Sequence, residues 1–209
     1  MVRGYHHGDL PAALVAAAID ELAEGGLAGF SVAKVAKRVG VSPGAPYRHF
    51  RDRDELLVAV AVESTEAMVQ RLREAVLDAG PDTALRFAAT AGAYTRFVLD
   101  RGVGMELTFA PQFRGARSIP LAERSRALMD LLLPLAHDAV AGASWTEALN
   151  LLEAHLAIGE GFAALQRRGG LSLLHLSDDA VAARATQASL TLIRGARAAA
   201  TEVHGRRTR

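Results

Sequence analysis

The chain has 209 residues, 50% of them hydrophobic, with 24 Lys and Arg against 23 Asp and Glu, a balance that suits one or two folded domains and excludes an intrinsically disordered chain. The longest run without a charged residue, Leu10 to Ile19, is far shorter than the about 20 residues of a bilayer span, so no transmembrane helix is expected. With 0 cysteines there is no disulfide framework, thiolate metal centre or cysteine nucleophile. The opening segment carries Arg3, His6, His7 and Asp9 but no apolar core of a secretory signal, which predicts a cytoplasmic protein.

No stretch alternates apolar and polar residues long enough for a sheet, and the pattern throughout is helical, so the fold class is all-α. The first helix starts at Asp9 as N-cap with Pro11 in the first turn. It carries Leu10, Leu14, Ala18 and Leu22 on one stripe, with Val15 and Ile19 beside it, and ends at Gly25-Gly26. Ser31 caps a second helix in which Val32, Val35, Ala36 and Val39 follow the i, i+3, i+4, i+7 spacing, and Gly40 closes it. A short third helix is expected from Ser42 as cap and Pro43 as first helical residue through Tyr47 to Phe50.

Asp52 caps a long fourth helix, opened by Asp54 and Glu55 at the positive end of the helix dipole and carried by Leu57, Ala61, Ser64, Met68, Leu72 and Val76. Beyond Ala79-Gly80-Pro81, helical patterns are expected at about 83–100, 121–141, 146–168 and 178–199. A poorly regular stretch with Gly102, Gly104, Pro111, Gly115 and Pro120 lies between the first two. Pro134 should kink the 121–141 helix, because it removes a backbone bond and crowds the carbonyl four residues earlier. The implied organisation is a domain at 1–51, a connecting helix at 52–81 and a second domain at 82–209.

Ser31 to Phe50 has the dimensions of a helix-turn-helix: a helix, a tight glycine-containing turn and a second helix. From Ser31 to Arg53 the charged residues are Lys34, Lys37, Arg38, Arg48, Arg51 and Arg53 against Asp52 alone, so the +1 of the whole chain conceals a strongly basic window. Read by itself, the helix carrying Lys34, Lys37 and Arg38 is an ordinary amphipathic helix with a solvated side. The turn and the helix after it favour a polyanion-binding face.

Three segments carry a family resemblance: Tyr5-His6-His7-Gly8-Asp9-Leu10, then Gly40-Val41-Ser42-Pro43-Gly44-Ala45-Pro46-Tyr47-Arg48-His49-Phe50, then Asp52 to Leu57. Together they resemble the N-terminal domain of the TetR family of transcriptional regulators, over roughly residues 5 to 60. The resemblance implies a helix-turn-helix that binds double-stranded operator DNA, followed by a helical domain for effector binding and dimerisation. It places Pro43, Gly44, Ala45, Tyr47 and Arg48 on the recognition-helix face that meets the major groove, with Ser42 at its cap among the DNA-binding residues. Ser31, Tyr47, His49 and Arg53 fall at positions that touch phosphates, which suits a hydroxyl near a helix N-terminus and donors of the Tyr, His and Arg type. Phe50 is expected in the core.

Departures from the family pattern matter for readout. Ala33 stands where the family often has a base-reading Arg, which leaves Lys34 as a substitute. Pro46 replaces a branched aliphatic residue and removes the backbone bond to the Ser42 carbonyl, so the first turn of the recognition helix should be irregular. Gly44 and Ala45 bring no side-chain donor, although Ala45 could touch a thymine methyl. Arg48 is therefore the best candidate for bidentate reading of guanine, with DNA shape and water supplying the rest.

In the second domain Phe87, Tyr94, Phe97, Met105, Phe109, His137, His155 and Phe162 are the candidate ligand-binding residues, each with core packing as its alternative. The expected effector is a mainly apolar organic molecule held by one polar anchor among Tyr94, His137 and His155, with Glu160 favoured for a cation. His155 and Glu160 do not share a helical face, so no metal site is expected, nor any cofactor. Gly159-Glu160-Gly161-Phe162-Ala163-Ala164 matches G-x-G-x-x-A, but it lies in a helical pattern and follows no strand, so it forms no phosphate loop and the chain reads as non-enzymatic.

The 146–168 pattern is apolar on two sides, Leu149, Leu152, Leu156, Gly159 and Ala163 on one and Leu151, His155, Ile158, Phe162 and Leu165 on the other. With Val181, Ala185, Ala188 and Leu192 of the last helix it is expected to form a four-helix dimer interface. The expected function is a homodimeric repressor released from its operator by a small ligand. The alternative is an activator or global regulator without a small-molecule effector.

Overall fold

The computed structural model describes residues 9–108, 113, 119–171 and 175–207. The chain folds into α-helices: α1 (Leu10–Gly29), α2 (Val32–Val39), α3 (Arg53–Asp78), α4 (Thr83–Arg101), α5 (Met105–Thr108), α6 (Ile119–Ala139), α7 (Trp145–Arg167) and α8 (Asp178–Arg207), with one 3-10 turn at Pro46–Arg48. Among the described residues there is no strand, as the sequence pattern predicts. Two compact units emerge, Met1–Thr65 with Arg101–Ala122, and Glu66–Asp100 with Glu123–Arg209. The division falls inside α3, so one helix contributes to both.

The first unit is built on the stripe expected of α1. Leu14, Val15, Ala18, Ile19 and Leu22 are buried, together with Val32 and Val35 of α2, Leu56, Leu57, Val60 and Ala61 of α3, and Val103, Leu107, Phe113 and Leu121. Each Val, Leu, Ile or Phe among them contributes roughly 1.5–3 kcal/mol by leaving water. Helical dihedrals break at Gly26 (φ 61°, ψ −179°), but the chain turns helical again as far as Gly29, so the glycine pair interrupts α1 rather than ending it. Gly102 (φ 69°) lets its segment approach α1 closely, since a Cβ there would lie 2.4 Å from the Ala23 Cβ.

Two expected caps are corrected. Asp9 and Ser31 occupy the N-cap positions of α1 and α2, yet neither side chain caps; the turns close through backbone bonds from Ala13 to the Asp9 carbonyl (3.2 Å) and from Val35 to the Ser31 carbonyl (3.1 Å). The Asp52 cap is present: its carboxylate accepts from the Glu55 N–H at 2.8 Å.

In the second unit α4 packs against α7 and α8 at glycines. A Cβ on Gly92 would lie 2.1 Å from the Thr186 hydroxyl oxygen and 2.7 Å from the Ala182 carbonyl oxygen, and one on Gly159 would lie 2.9 Å from the Tyr94 ring. Thr95 donates to the Gly159 carbonyl at 3.1 Å. A capping box opens α7: the Glu147 N–H donates to the Ser144 hydroxyl (3.3 Å) and the Glu147 carboxylate accepts from the Ser144 N–H (2.7 Å). Arg197 of α8 donates to the Ala139 carbonyl at 2.6 Å and to Thr83 at 3.0 Å, joining the end of α6 to the start of α4. Pro134 lies within α6, and Pro120 stands in its first turn instead of in the irregular stretch. α8 extends beyond the expected 199 to Arg207.

The expected dimer face of α8 is corrected in part. Val181 and Ala185 are fully buried in the chain's own second unit, alongside Ser189 and Ile193, while Ala188 and Leu192 are half-buried. On α7, Leu152, Gly159 and Ala163 of one stripe and Leu151 and His155 of the other are likewise buried within the unit. Of the large apolar residues of α7, Trp145, Leu149 and Leu165 are exposed to 59%, 41% and 50%, and Leu156, Ile158 and Phe162 are half-buried.

Candidate nucleic-acid interface

α2 ends in a Schellman motif that sets the direction of the turn. Gly40 takes the left-handed conformation (φ 81°), its N–H donates to the Lys37 carbonyl at 3.1 Å, and the Val41 N–H donates to the Ala36 carbonyl at 3.0 Å. The segment after it is not the helix expected from Ser42. The Ser42 carbonyl accepts from the Ala45 N–H at 2.9 Å to form a turn, and the 3-10 turn Pro46–Arg48 follows, closed by the Phe50 N–H donating to the Pro46 carbonyl at 2.9 Å. Pro46 is the cause: without an N–H it cannot bond the Ser42 carbonyl, so that acceptor is taken one residue earlier. The irregularity foreseen for the first turn covers the whole recognition element.

Burial sorts this segment into two faces. Pro46 and Phe50 are buried, as the reading of Phe50 as core requires, while Ser42, Pro43, Gly44, Tyr47, Arg48 and His49 are exposed and Ala45 is half-buried. Tyr47 is 53% exposed, so it does not serve local packing. Ser31 is half-buried, and among the described residues its hydroxyl has no hydrogen-bond partner.

The cations of the window do not share one fate. Lys34 lies 2.9 Å from Glu21, and Arg38 lies 3.3 Å from Glu21 and 2.6 Å from Glu24, both on α1. Arg51 pairs with Glu55 at 3.0 Å. Arg53 donates to the Leu27 carbonyl at 2.9 Å, sits 5.4 Å over the Phe30 ring and reaches Asp54 at 3.6 Å, which ties the end of α1 to the start of α3. Among the described residues no ion pair reaches Lys37 or Arg48. Lys37, not among the site residues expected from sequence, is thus a free cation one helical turn after Ala33. Only the partners of its neighbours, 13 or more residues away, single it out.

Those of the expected ligand residues that are described take separate places in the fold. Phe87 is fully buried and stacks on His155 at 4.0 Å, Tyr94 is buried and donates its hydroxyl to Glu160, and Phe97 is buried. His155 lies 2.9 Å from the Thr90 hydroxyl and 2.7 Å from that of Ser189. His137 stacks on Trp145 at 4.3 Å, Phe162 is half-buried, and Met105 is half-buried in the first unit. Phe109 lies outside the described residues. A cleft of about 340 Å³ opens along α7 and α8, lined by Val140, Ala148, Leu151, Ala154, Leu192 and Ala196 among others, and none of the expected ligand residues lines it. Among the described residues no group of His, Asp and Glu is placed to hold a metal ion, and no helix is long and apolar enough to cross a membrane. Gly159 to Ala164 lies wholly within α7.

An α-helix turned through a Schellman glycine into a short exposed element, with free cations beside it, in a chain whose second unit is also helical, defines a helix-turn-helix DNA-binding regulator. Residues 14–60 match the model of bacterial regulatory proteins of the tetR family. Three solved structures share the fold. A protein of unknown function from Rhodococcus sp. RHA1 is 32% identical, with 92% of this chain and 98% of that one covered at a TM-score of 0.72. A transcriptional regulator from the same organism is 28% identical over 88% of this chain and 95% of that one, at a TM-score of 0.65. The transcriptional regulator FadR from Bacillus subtilis, solved in complex with stearoyl-CoA, is 13% identical over 86% and 97%, at a TM-score of 0.60. The chain belongs to the TetR family of transcriptional regulators.

Proposed function

We infer that the chain is a homodimeric, non-enzymatic transcriptional repressor released from a palindromic operator by a small, mainly apolar ligand. The observation that carries the DNA-reading part is Arg48, exposed and without an ion pair at the end of the recognition turn. In this reading Arg48 takes guanine in the major groove and Ala45 meets a thymine methyl, while Pro43 and Gly44 bring the backbone close. Ser31, Ser42, Tyr47, His49 and Lys37 hold phosphates. Lys34 and Arg53 contribute less than the sequence suggests, since each already has a partner within the chain.

A dimer holds two such elements about 34 Å apart, one DNA turn. The exposed Trp145, Leu149 and Leu165 of α7 support self-association through α7 and α8. α3 gives its first half to the DNA-binding unit and its second half to the other, so a ligand that shifts the second half moves the first. A coupling of about 1–3 kcal/mol would change operator affinity roughly 5- to 150-fold. The reading of an apolar effector rests on the aromatic composition of α4 and α7, and the Bacillus subtilis FadR structure, solved in complex with stearoyl-CoA, is of a protein of this fold holding a ligand with an apolar acyl chain and a charged head. Because Tyr94 is closed onto Glu160, entry there requires that bond to open.

Selection of bound duplexes from a random pool tests the reading. Enrichment of an inverted repeat with half-sites about 10 bp apart is expected. Enrichment of nothing, or of a single asymmetric site, overturns it.

A further inference from the structure

Four charged side chains lie together on the DNA-binding unit without any role in the reading above. The Glu21 carboxylate, 4% exposed, receives Lys34 at 2.9 Å on one oxygen and Arg38 at 3.3 Å on the other. Arg38 also donates from Nη1 and Nη2 to the two oxygens of Glu24, at 3.0 and 2.6 Å, in an end-on bidentate pairing. Hydrogen bonding to Lys34 and then to Arg38 holds the Glu21 carboxyl below its ordinary range, and bonding to Glu24 raises Arg38. Bonding to Arg38 likewise holds the Glu24 carboxyl below its ordinary range, so Glu21, Glu24 and Arg38 stay charged at neutral pH. Lys34 is 62% exposed and Arg38 is 34% exposed, so both cations remain within reach of a polyanion.

The carboxylates stand where phosphates would have to compete. Lys34 and Arg38 sit on the helix that enters the turn, next to the free Lys37, and without α1 they would join it as phosphate contacts. With Glu21 and Glu24 in place, a phosphate gains either cation only by breaking an existing pair, and a buried carboxylate left alone is costly. Removing phosphate contacts weakens binding to every sequence alike, because phosphate contacts carry no sequence information. The loss is common to operator and random DNA, so it lowers the absolute affinity of both and leaves their ratio to base contacts such as that of Arg48.

We propose that Glu21 and Glu24 withhold Lys34 and Arg38 from the DNA backbone, so that the sequence-independent part of DNA affinity is held down in this chain. The proposal rests on the helix-turn-helix binding DNA, and the unmodified chain reports on that separately: its affinity for random-sequence duplex must fall with salt.

The experiment measures binding of the full chain to a random-sequence duplex as salt is raised, for the unmodified chain, Glu24→Gln, Glu21→Gln and the double variant, with melting temperature recorded for each. Each cation released adds about 0.9 to the slope of log affinity against log salt, which at 0.1 M salt is roughly an eightfold gain over the 1 M limit. Glu24→Gln, on an exposed side chain, is expected to bind more tightly and with a steeper slope at unchanged melting temperature. The double variant should go further, and adding Lys34→Met to it should remove part of the gain, whereas Lys34→Met alone should leave the slope as it is. Unchanged slopes in Glu24→Gln and in the double variant overturn the proposal. So does weaker binding with an intact fold, which would make the carboxylates positioning groups for α2. If Glu21→Gln fails to fold, Glu24→Gln decides alone. No binding by the unmodified chain would instead overturn the DNA-binding reading.

Discussion

The Nδ1 of His155 lies 2.7 Å from the Ser189 hydroxyl, and the geometry around the pair fixes which atom donates. The Thr90 hydroxyl donates to the Phe87 carbonyl at 2.7 Å, so its oxygen is left to accept from His155 Nε2–H at 2.9 Å. Nδ1 must then accept, and Ser189 donates to it. The ring is neutral, satisfied at both nitrogens and stacked on Phe87, and it pins α4, α7 and α8 together. A histidine offered by the sequence as a ligand anchor is in this structure a core group with no atom to spare.

Burial pushes the His155 pKa down from 6.5 to about 3. The unfolded chain therefore binds a proton below about pH 6.5 that the folded chain does not. Stability contributed by the neutral ring is complete above pH 6.5 and is lost as pH falls toward 3, at about 1.4 kcal/mol for each pH unit. Urea unfolding of the unmodified chain and of His155→Gln should show the gap between them shrinking by about 2 kcal/mol from pH 6.5 to pH 5. A gap that does not change with pH would mean that the folded chain takes up the proton as readily as the unfolded one.

Gly92 is the tightest point of the second unit. Alanine in a helix interior is ordinarily better than glycine by about 1 kcal/mol, but here its Cβ would lie 2.1 Å from Thr186 and 2.7 Å from a backbone oxygen. Gly92→Ala should therefore destabilise by about 1–3 kcal/mol. Adding Thr186→Ala should restore only part of this, because the Ala182 carbonyl stays in the way. Gly161→Ala, with nothing within 4 Å, is the matched control and should be neutral or stabilising. Equal melting temperatures for Gly92→Ala and Gly161→Ala would mean that α4 and α8 are not in such close contact.

These two sites show where the sequence is readable. Periodicity and local punctuation are written in neighbouring residues, so the stripe Leu14, Ala18 and Leu22, the cap at Asp52 and the end of α2 at Gly40 could all be read directly. Pairings between helices are not. Glu21 with Lys34, Tyr94 with Glu160 and His155 with Ser189 depend on crossing geometry, which no window of sequence carries. The effect of Pro46 was foreseen in kind but not in extent, because one missing N–H in a helix of nine residues removes enough bonding to leave only turns. On α7 both apolar stripes were legible, but not that the chain itself would bury Leu152, Gly159 and Ala163 of one and Leu151 and His155 of the other.

Arg48 and Arg53 should separate by assay. Arg48→Ala is expected to lower operator affinity by about 1–3 kcal/mol and to relax preference at one guanine per half-site, with the melting temperature unchanged. Arg53→Ala removes the bond to the Leu27 carbonyl and the contact with Phe30, so the first unit should melt earlier. Its DNA affinity should fall alike for operator and random sequence. Loss of preference at the same base in both variants would show that Arg53 reads sequence as well.

The dimer can be tested without cutting the chain, which matters because α3 supplies buried residues to both units. Leu149 is 41% exposed and Leu165 is 50% exposed, so in a monomer Leu149→Arg or Leu165→Arg should change stability by no more than about 0.5 kcal/mol. In a dimer closed through α7 and α8 the same substitution places a charge on each side of a two-fold contact, where it is desolvated without a partner. Sedimentation of the full chain should show a dimer for the unmodified protein and monomers for at least one variant. That variant should melt at a temperature independent of protein concentration, unlike its parent. It should also bind a single half-site about as well as the parent while losing the advantage of the full palindrome, since two recognition turns would no longer be held together. If both variants stay dimeric, the interface lies off this face of α7. A monomeric parent at micromolar concentration would remove the two-fold arrangement from which the palindromic operator is inferred.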